Sequence, residues 1–405
     1  MRILFLSDNF PPEVNAPARR TYEHCREWAK EGHKITVITC APNFPDGKVF
    51  LGYKNRRSTK LIDDICVIRV KTFITANEGF YKRTLDYISF GVASFFAGLT
   101  IKTDIIIGTS PQFFTAISAR WLAFFKKKPW VMEVRDLWPE SIRSVGAMKD
   151  SPILKFFTWL ELRLYKSAVQ IITVTDSFKI RISQRGIDPD KIKVIKNGAN
   201  LKLFSPRQKN ERLLDELGLD GKFIFGFIGT IGMAHKLDFI IKSGQKIDDP
   251  SIHFLFIGAG AEKKNLESLI KEDQVKNVTL LGLIAKEKVP DYLSIIDVAL
   301  INLKRSETFK TVIPSKIFES AAMEKPILLG VDGESRQIIE TYSAGIFFEP
   351  ENESDFLEKL YLLKNDKALY ERLKLGCKNL VKDFDRVNLA KDMADILNEL
   401  SDNNK

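Results

Sequence analysis

Short β-branched runs alternate with helical patterns along almost the whole chain, and Gly, Pro or polar turns separate them. In the first half Ile3 to Ser7, Ile35 to Thr39, Ile65 to Val70, Asp104 to Gly108, Trp130 to Val134, Ile171 to Val174 and Lys193 to Ile195 read as strands. A second series follows at Phe223 to Ile228, His253 to Ile257, Val278 to Leu281, Val298 to Leu303, Ile327 to Leu329 and Ile346 to Phe348. Most are continuous apolar stretches, the pattern of strands covered on both faces. Repetition of strand, turn and helix predicts an α/β architecture with two doubly wound parallel sheets. After the first strand, Ala18, Tyr22, Cys25 and Ala29 share one helix face, and Gly32 marks its stop.

The polar, proline-containing stretch Ser205 to Glu211 predicts a hinge. It divides an N-terminal Rossmann-like domain at 1–204 from a C-terminal one at 205–384, with a last helix at about 385–401 packing back on the first. Ligands of open α/β sheets collect at the carboxyl ends of the strands, so two such domains predict a cleft. The loop from Phe10 to Pro17 follows the first strand and is expected to project into it.

Within the second series, Pro314-Ser315-Lys316-Ile317-Phe318-Glu319 reads as a helix start prepared for phosphate. Proline suits the entry, serine can cap it, and the first N–H groups with the positive end of the dipole face outward. Lys316 and Glu319, three apart, share a face. A cation there can meet a diphosphate while the carboxylate accepts hydrogen bonds from ribose hydroxyls; the alternative is a capped helix with a surface ion pair. Gly258 and Gly260, at a strand end in Phe256-Ile257-Gly258-Ala259-Gly260, predict close backbone packing beside a nucleotide.

Charge adds an asymmetry. Residues 1–204 hold 33 Lys and Arg against 19 Asp and Glu, whereas residues 205–405 hold 29 against 33. The basic half is expected to meet an anionic partner. No helix-turn-helix, zinc-finger or ribonucleoprotein signature supports nucleic acid. A membrane surface fits better: Trp121 to Trp130 mixes aromatics with Lys126, Lys127 and Lys128, as interfacial anchors do. Tyr87 to Ile101 is uncharged and Phe-rich but shorter than the ~20 residues that cross a bilayer. A buried core helix is the competing reading for both segments. The four cysteines are scattered, which favours neither zinc nor a disulfide framework and suits a reducing cytoplasm. Met1 to Asp8 reads as a buried first strand, not a signal peptide.

Several stretches in this order carry a family resemblance: Asp8 to Pro17, Cys40 to Pro45, Asp136 to Ser141, Asn197 to Asn200, Gly229 to His235 and Pro314 to Glu319. Over essentially its whole length the chain resembles retaining glycosyltransferases of family 4, which have the two-domain GT-B fold. It is similar to the bacterial surface-polysaccharide branch that includes N-acetylfucosaminyltransferases. The resemblance implies transfer of a sugar, an N-acetylated amino or deoxyamino sugar in that branch, from a UDP-sugar to a hydroxyl with retention. The charge asymmetry and the Trp121 to Trp130 segment predict an acceptor that is a polyprenyl-diphosphate-linked saccharide at the inner face of the cytoplasmic membrane, in O-antigen or capsule synthesis. No metal or other cofactor is implied by the resemblance.

Carried over residue by residue, Glu319 matches the ribose-binding glutamate, and Pro314, Ser315 and Lys316 fall near the diphosphate. The Gly-Arg…Lys-Gly signature maps onto Gly229, with Thr230 in the arginine place, His235 in the lysine place and Lys236 where a glycine is usual. A second family glutamate is replaced by Thr311, with Glu307 nearby but out of register. In the first domain Arg135-Asp136 stands for a His-Asp motif, and Asn15 and Ala16 lie near the place of paired glycines. Implied catalytic groups are therefore Asp136, Arg135, Lys236 and Glu319. The donor would meet Asn15, Ala16, Gly229, Thr230, His235, Gly258, Gly260, Thr311, Pro314, Ser315, Lys316 and Glu319. Two other readings are a nucleotide-sugar epimerase of the same fold and a non-catalytic nucleotide-sugar-binding protein.

Overall fold

The computed structural model describes residues 1–44, 46–75, 80–110, 113–138 and 152–402. Pro45 and the last three residues of Asp136 to Ser141 lie outside them. Contacts divide the chain into two units, Met1–Lys196 with Arg386–Lys405, and Asn197–Asp385.

The first unit is built on eight strands: β1 (Arg2–Leu6), β2 (Lys34–Cys40), β3 (Ser58–Ile62), β4 (Ile65–Val70), β5 (Ile105–Thr109), β6 (Trp130–Val134), β7 (Gln170–Thr173) and β8 (Ile192–Val194). Their order in the sheet is β3-β4-β2-β1-β5-β6-β7-β8. All pairs are parallel except β3 with β4. This antiparallel edge departs from the all-parallel expectation, and its cause is local. Asp63 and Asp64 both adopt positive φ, 46° and 62°, which makes the two-residue turn that closes a hairpin. Edge strand β3 is largely exposed and mixes polar with apolar residues, so its sequence lacks the run that marks the buried strands.

Helix α1 (Ala16–Lys30) starts at Asn15, whose side chain accepts a hydrogen bond from the Ala18 N–H at 2.9 Å. Its predicted face is buried at Ala18 and Cys25. The carboxy-terminal helix Arg386–Asp402 packs against α1. Trp28 is fully buried there and donates its indole N–H to the Ala390 carbonyl at 2.7 Å. Arg20 donates to Glu133 at 2.8 Å and to the carbonyls of Ile195 and Lys196 at 2.9 Å each, while Arg386 pairs with Glu23. These buried ion pairs hold the two points at which the chain leaves the unit and returns to it.

The second unit carries β9 (Phe223–Ile228), β10 (Ile252–Ile257), β11 (Val278–Leu281), β12 (Val298–Asn302), β13 (Ile327–Gly330) and β14 (Gly345–Phe347), ordered β11-β10-β9-β12-β13-β14 and parallel throughout. Strands β10, β12 and β13 are buried along their whole length, as their unbroken apolar runs require.

Replacing Trp28 by Ala should destabilise the first unit by about 3–5 kcal/mol through loss of a large buried side chain. A urea unfolding curve followed by circular dichroism measures this; an unchanged midpoint would show that the helix Arg386–Asp402 does not depend on this anchor.

Candidate functional site

At the carboxyl ends of β9 and β10 two loops lie on each other so closely that three positions tolerate only glycine. Gly229, Gly258 and Gly260 have φ of 150°, 154° and 154°, which L side chains rarely adopt. A Cβ on Gly258 would overlap the Gly229 carbonyl, and one on Gly260 the Ile231 carbonyl. The stack is stitched by Gly229 N–H to Ile257 O at 2.9 Å and Ile231 N–H to Ala259 O at 2.8 Å. Close backbone packing expected for Gly258 and Gly260 is what their geometry shows.

Lys316 lies across this platform. A Cβ on Gly229 would sit 2.8 Å from Lys316 Nζ, and the ammonium rests 4.1 Å from the centre of the Phe227 ring. Burial pushes its pKa down to about 7, with the Glu319 charge acting the other way. A lysine held near neutrality gains its proton readily once an anion arrives.

His235 cannot supply a second cation. Burial, reinforced by the Lys316 charge, pushes its imidazole down to about 3, so it is neutral. Nδ1 lies 3.2 Å from the Asn302 carbonyl, an acceptor only, so Nδ1 carries the proton and donates it. Asn302 answers by donating its amide to the His235 carbonyl at 3.0 Å. Lys236 adopts the left-handed conformation, φ 47° and ψ 43°, which a glycine, as in the signature of the resembled family, adopts without strain. Its ammonium is bonded to Asp238 at 2.9 Å, and Thr230 is exposed.

Glu319, in the helix Lys316–Ala322, pairs not with Lys316 but with Lys286 at 2.5 Å. Both side chains are about one-sixth exposed, at 17% each, so the pair is accessible from one side. Lys286 also lies 4.6 Å from the Phe204 ring. Ser315 makes no capping bond, contrary to expectation, because its own φ and ψ of −60° and −20° are already helical and turn the hydroxyl away from the N–H groups it would cap. The Ile317 N–H bonds to the Pro314 carbonyl at 3.1 Å, a tight first turn. Thr311 is buried and donates its hydroxyl to the Thr308 carbonyl at 2.7 Å, while Glu307 pairs with Lys310. Ser335 and the close approach of Gly333 to the Lys310 carbonyl hold this loop in place.

In the first unit, Arg135 donates to the Ser110 and Pro17 carbonyls at 3.1 Å each and lies 3.9 Å from Glu133. Burial lowers its pKa to about 10, opposed by Glu133, so it stays charged at neutral pH. Its guanidinium therefore braces the start of α1, where Ala16 is exposed and Asn15 caps. Asp136 is half-buried, its carbonyl accepting from Ser110 at 3.4 Å. Glu13 shapes the loop before α1 by accepting from the Asn43 and Phe44 N–H groups at 2.8 and 2.9 Å. Burial raises its pKa.

Within the second unit the structure thus brings together Gly229, Gly258, Gly260, His235 and Lys316, with Glu319 one helical turn on. Sequence reasoning missed Lys286, Asn302 and Glu13. Asn302 carried a signal, a lone amide ending the apolar run Val298 to Leu303; Lys286 carried none, being one of several surface-type lysines in its segment.

Residues 17–203 match the family described as Glycosyltransferase Family 4, and residues 209–379 match Glycosyl transferases group 1. An Escherichia coli K12 protein named for colanic acid biosynthesis, the glycosyl transferase WcaI, is 25% identical over 364 residues, 87% of this chain and 89% of that one. The Escherichia coli UDP-Gal:alpha-D-GlcNAc-diphosphoundecaprenol alpha-1,3-galactosyltransferase is 24% identical over 248 residues, 58% of this chain and 62% of that one. The solved structure of Anabaena Alr3699/HepE in complex with UDP-glucose has a TM-score of 0.73 at 16% identity, covering 98% of this chain and 100% of that one. That likeness shows the fold, which is GT-B.

Unfolded lysine keeps its proton to about pH 10.5, whereas folded Lys316 releases it near 7, so the unfolded state binds more protons between these values. Stability of the second unit should therefore rise with pH across that window, and Lys316→Met should flatten the rise. Urea midpoints of both proteins from pH 7 to about 10 measure it; parallel profiles would place the ammonium in water.

Proposed function

We propose that this chain, which carries a family 4 glycosyltransferase domain followed by a group 1 glycosyl transferase domain, moves a sugar from a UDP-sugar to a lipid-linked saccharide with retention of configuration. The observation that carries the reading is Lys316 laid over Gly229 with Glu319 one turn beyond it. A diphosphate on the glycine platform meets the Lys316 ammonium and the loop N–H groups. Glu319 accepts from the ribose hydroxyls, and Lys286, its partner in the free protein, holds the carboxylate in place until they arrive.

As the bond from sugar to phosphate stretches, negative charge grows on the diphosphate, and these preorganised donors stabilise it more than the ground state. The departing phosphate oxygen takes the proton of the acceptor hydroxyl on the same face, which needs no metal and no covalent enzyme intermediate. Neutral His235, with its lone pair on Nε2, serves as an acceptor for a hydroxyl of the sugar. Asp136 and the Asn15–Ala16 start of α1 belong to the acceptor and phosphate side.

Support for the UDP-sugar comes from the complex named for the Anabaena structure, and for the lipid-linked acceptor from the Escherichia coli galactosyltransferase's name. The colanic acid relative's name supports polysaccharide synthesis, and an N-acetylated amino or deoxyamino sugar remains the donor expected from the sequence.

Glu319→Ala should weaken UDP binding about tenfold to a hundredfold, the loss of one charged hydrogen-bonding group, measured by calorimetry. Unchanged affinity would remove the ribose role. Incubation with UDP-sugars and an undecaprenyl-diphosphate saccharide, read by mass spectrometry, should give an extended lipid product that EDTA leaves undiminished. An isomerised UDP-sugar with no extended lipid would instead favour an epimerase.

A further inference from the structure

Three helices of the first unit expose apolar residues where a water-facing helix carries polar ones. Helix α2 (Phe80–Leu99) presents Leu85, Ile88, Val92, Phe96 and Leu99, a stripe with helical spacing, and Phe96 is 64% exposed. The end of α3 (Phe113–Lys126) presents Trp121, Phe124 and Phe125, with Phe124 70% exposed, and α4 (Pro152–Ser167) presents Ile153, Phe156 and Trp159. Their inner faces pack on one another. Gly91 and Gly98 of α2 admit Phe114 and Leu122 of α3, and Phe157 of α4 packs edge-on against Phe113 and Phe114. The helices therefore lie side by side with α3 in the middle; Phe125 of α3 packs on Phe95 of α2, which joins the exposed residues of those two helices, and the exposed residues of α4 lie on the helix beside them.

This corrects the single-segment reading of Trp121 to Trp130. Leu122, Ala123 and Trp130 are core residues, and Lys126 donates to the Leu99 and Ile101 carbonyls, closing the end of α2. Tyr87 to Ile101, left between core and surface, does both: Phe90, Ala97 and Ser94 are buried while Val92 and Phe96 face outward.

Among the described residues of these helices the exposed charge is of one sign. Arg120 lies over Trp121 at 5.4 Å and Arg163 over Trp159 at 5.2 Å, and Lys127, Lys128 and Lys155 are exposed. The three helices hold two carboxylates. Glu161 is buried and paired with Arg185, and Asp86 is half-buried. A second copy docked here would set these cations against their own images, with no exposed carboxylate among the described residues of the three helices to answer them. No helix among the described residues is long and apolar enough to cross a membrane.

We infer that the outer face of α2, α3 and α4 docks on an anionic lipid bilayer, its Phe and Trp side chains entering the headgroup boundary and its Arg and Lys residues meeting lipid phosphates. The inference shares with the proposed function the expectation of a lipid-borne acceptor, yet it concerns a face of its own and is tested without nucleotide. Flotation with phosphatidylcholine vesicles, with and without phosphatidylglycerol, is the experiment. Wild-type protein should float with the anionic vesicles and lose binding in high salt. Phe96→Ser with Phe124→Ser and Phe156→Ser should weaken binding at least about tenfold, since each exposed ring contributes apolar transfer energy. Lys127→Glu with Lys128→Glu and Arg163→Glu should lose binding to anionic vesicles while UDP affinity holds. Brominated lipid should quench wild-type fluorescence, and Trp121→Phe with Trp159→Phe should abolish the quenching, a readout independent of the triple variants' folding. Absent flotation, equal flotation of the apolar variant, or a wild-type dimer that the apolar variant converts to monomer would overturn the inference; only loss of UDP affinity in Glu319→Ala bears on the sugar-nucleotide reading.

Discussion

Backbone crowding at the ends of β9 and β10 is the constraint on which the candidate site depends. Two strand-end loops come within bonding distance only because Gly229, Gly258 and Gly260 carry no side chain and accept a φ near 150°. Once stacked, the loops leave a shallow space over Gly229, and the Lys316 side chain fills it against Phe227. The low pKa of this lysine follows from that packing, not from the lysine itself. Asn302 and His235 then tie the end of β12 to the same loop by reciprocal hydrogen bonds, so three neighbouring strands contribute to one platform.

In the first unit the organising element is ionic. Arg20, Glu133, Glu23 and Arg386 are all buried, and such pairs are seldom a large net source of stability because removing ions from water costs several kcal/mol each. Their value lies in geometry. Arg20 grips the carbonyls of Ile195 and Lys196 at one chain crossing, and Arg386 begins the helix at the other. Arg135 extends the same logic to the start of α1. Its guanidinium, where the resembled family's motif has histidine, bonds two backbone carbonyls.

Most strands were legible because burial on both faces leaves a continuous apolar run, which few other structures require. Strand β3 was not, since an edge strand wetted on one side needs no such run and its hairpin turn is made by two aspartates at positive φ, an uncommon choice beside Asn-Gly. Glu319 was legible as a carboxylate in a helical first turn. Its partner Lys286 was not, because a pair separated by 33 positions leaves no local pattern. Ser315 misled for a related reason: capping depends on φ and ψ, and residue type only makes it available.

Residue order alone settled the alternation of strands and helices and the types of group available for phosphate and hydroxyls, since these depend on residue type and on near neighbours in the chain. Tertiary structure decided which charges are paired, which lysine titrates near neutral pH, and that three adjacent helices each turn aromatic residues outward. Those properties arise from distance and desolvation between residues far apart in sequence, and only packing brings them together.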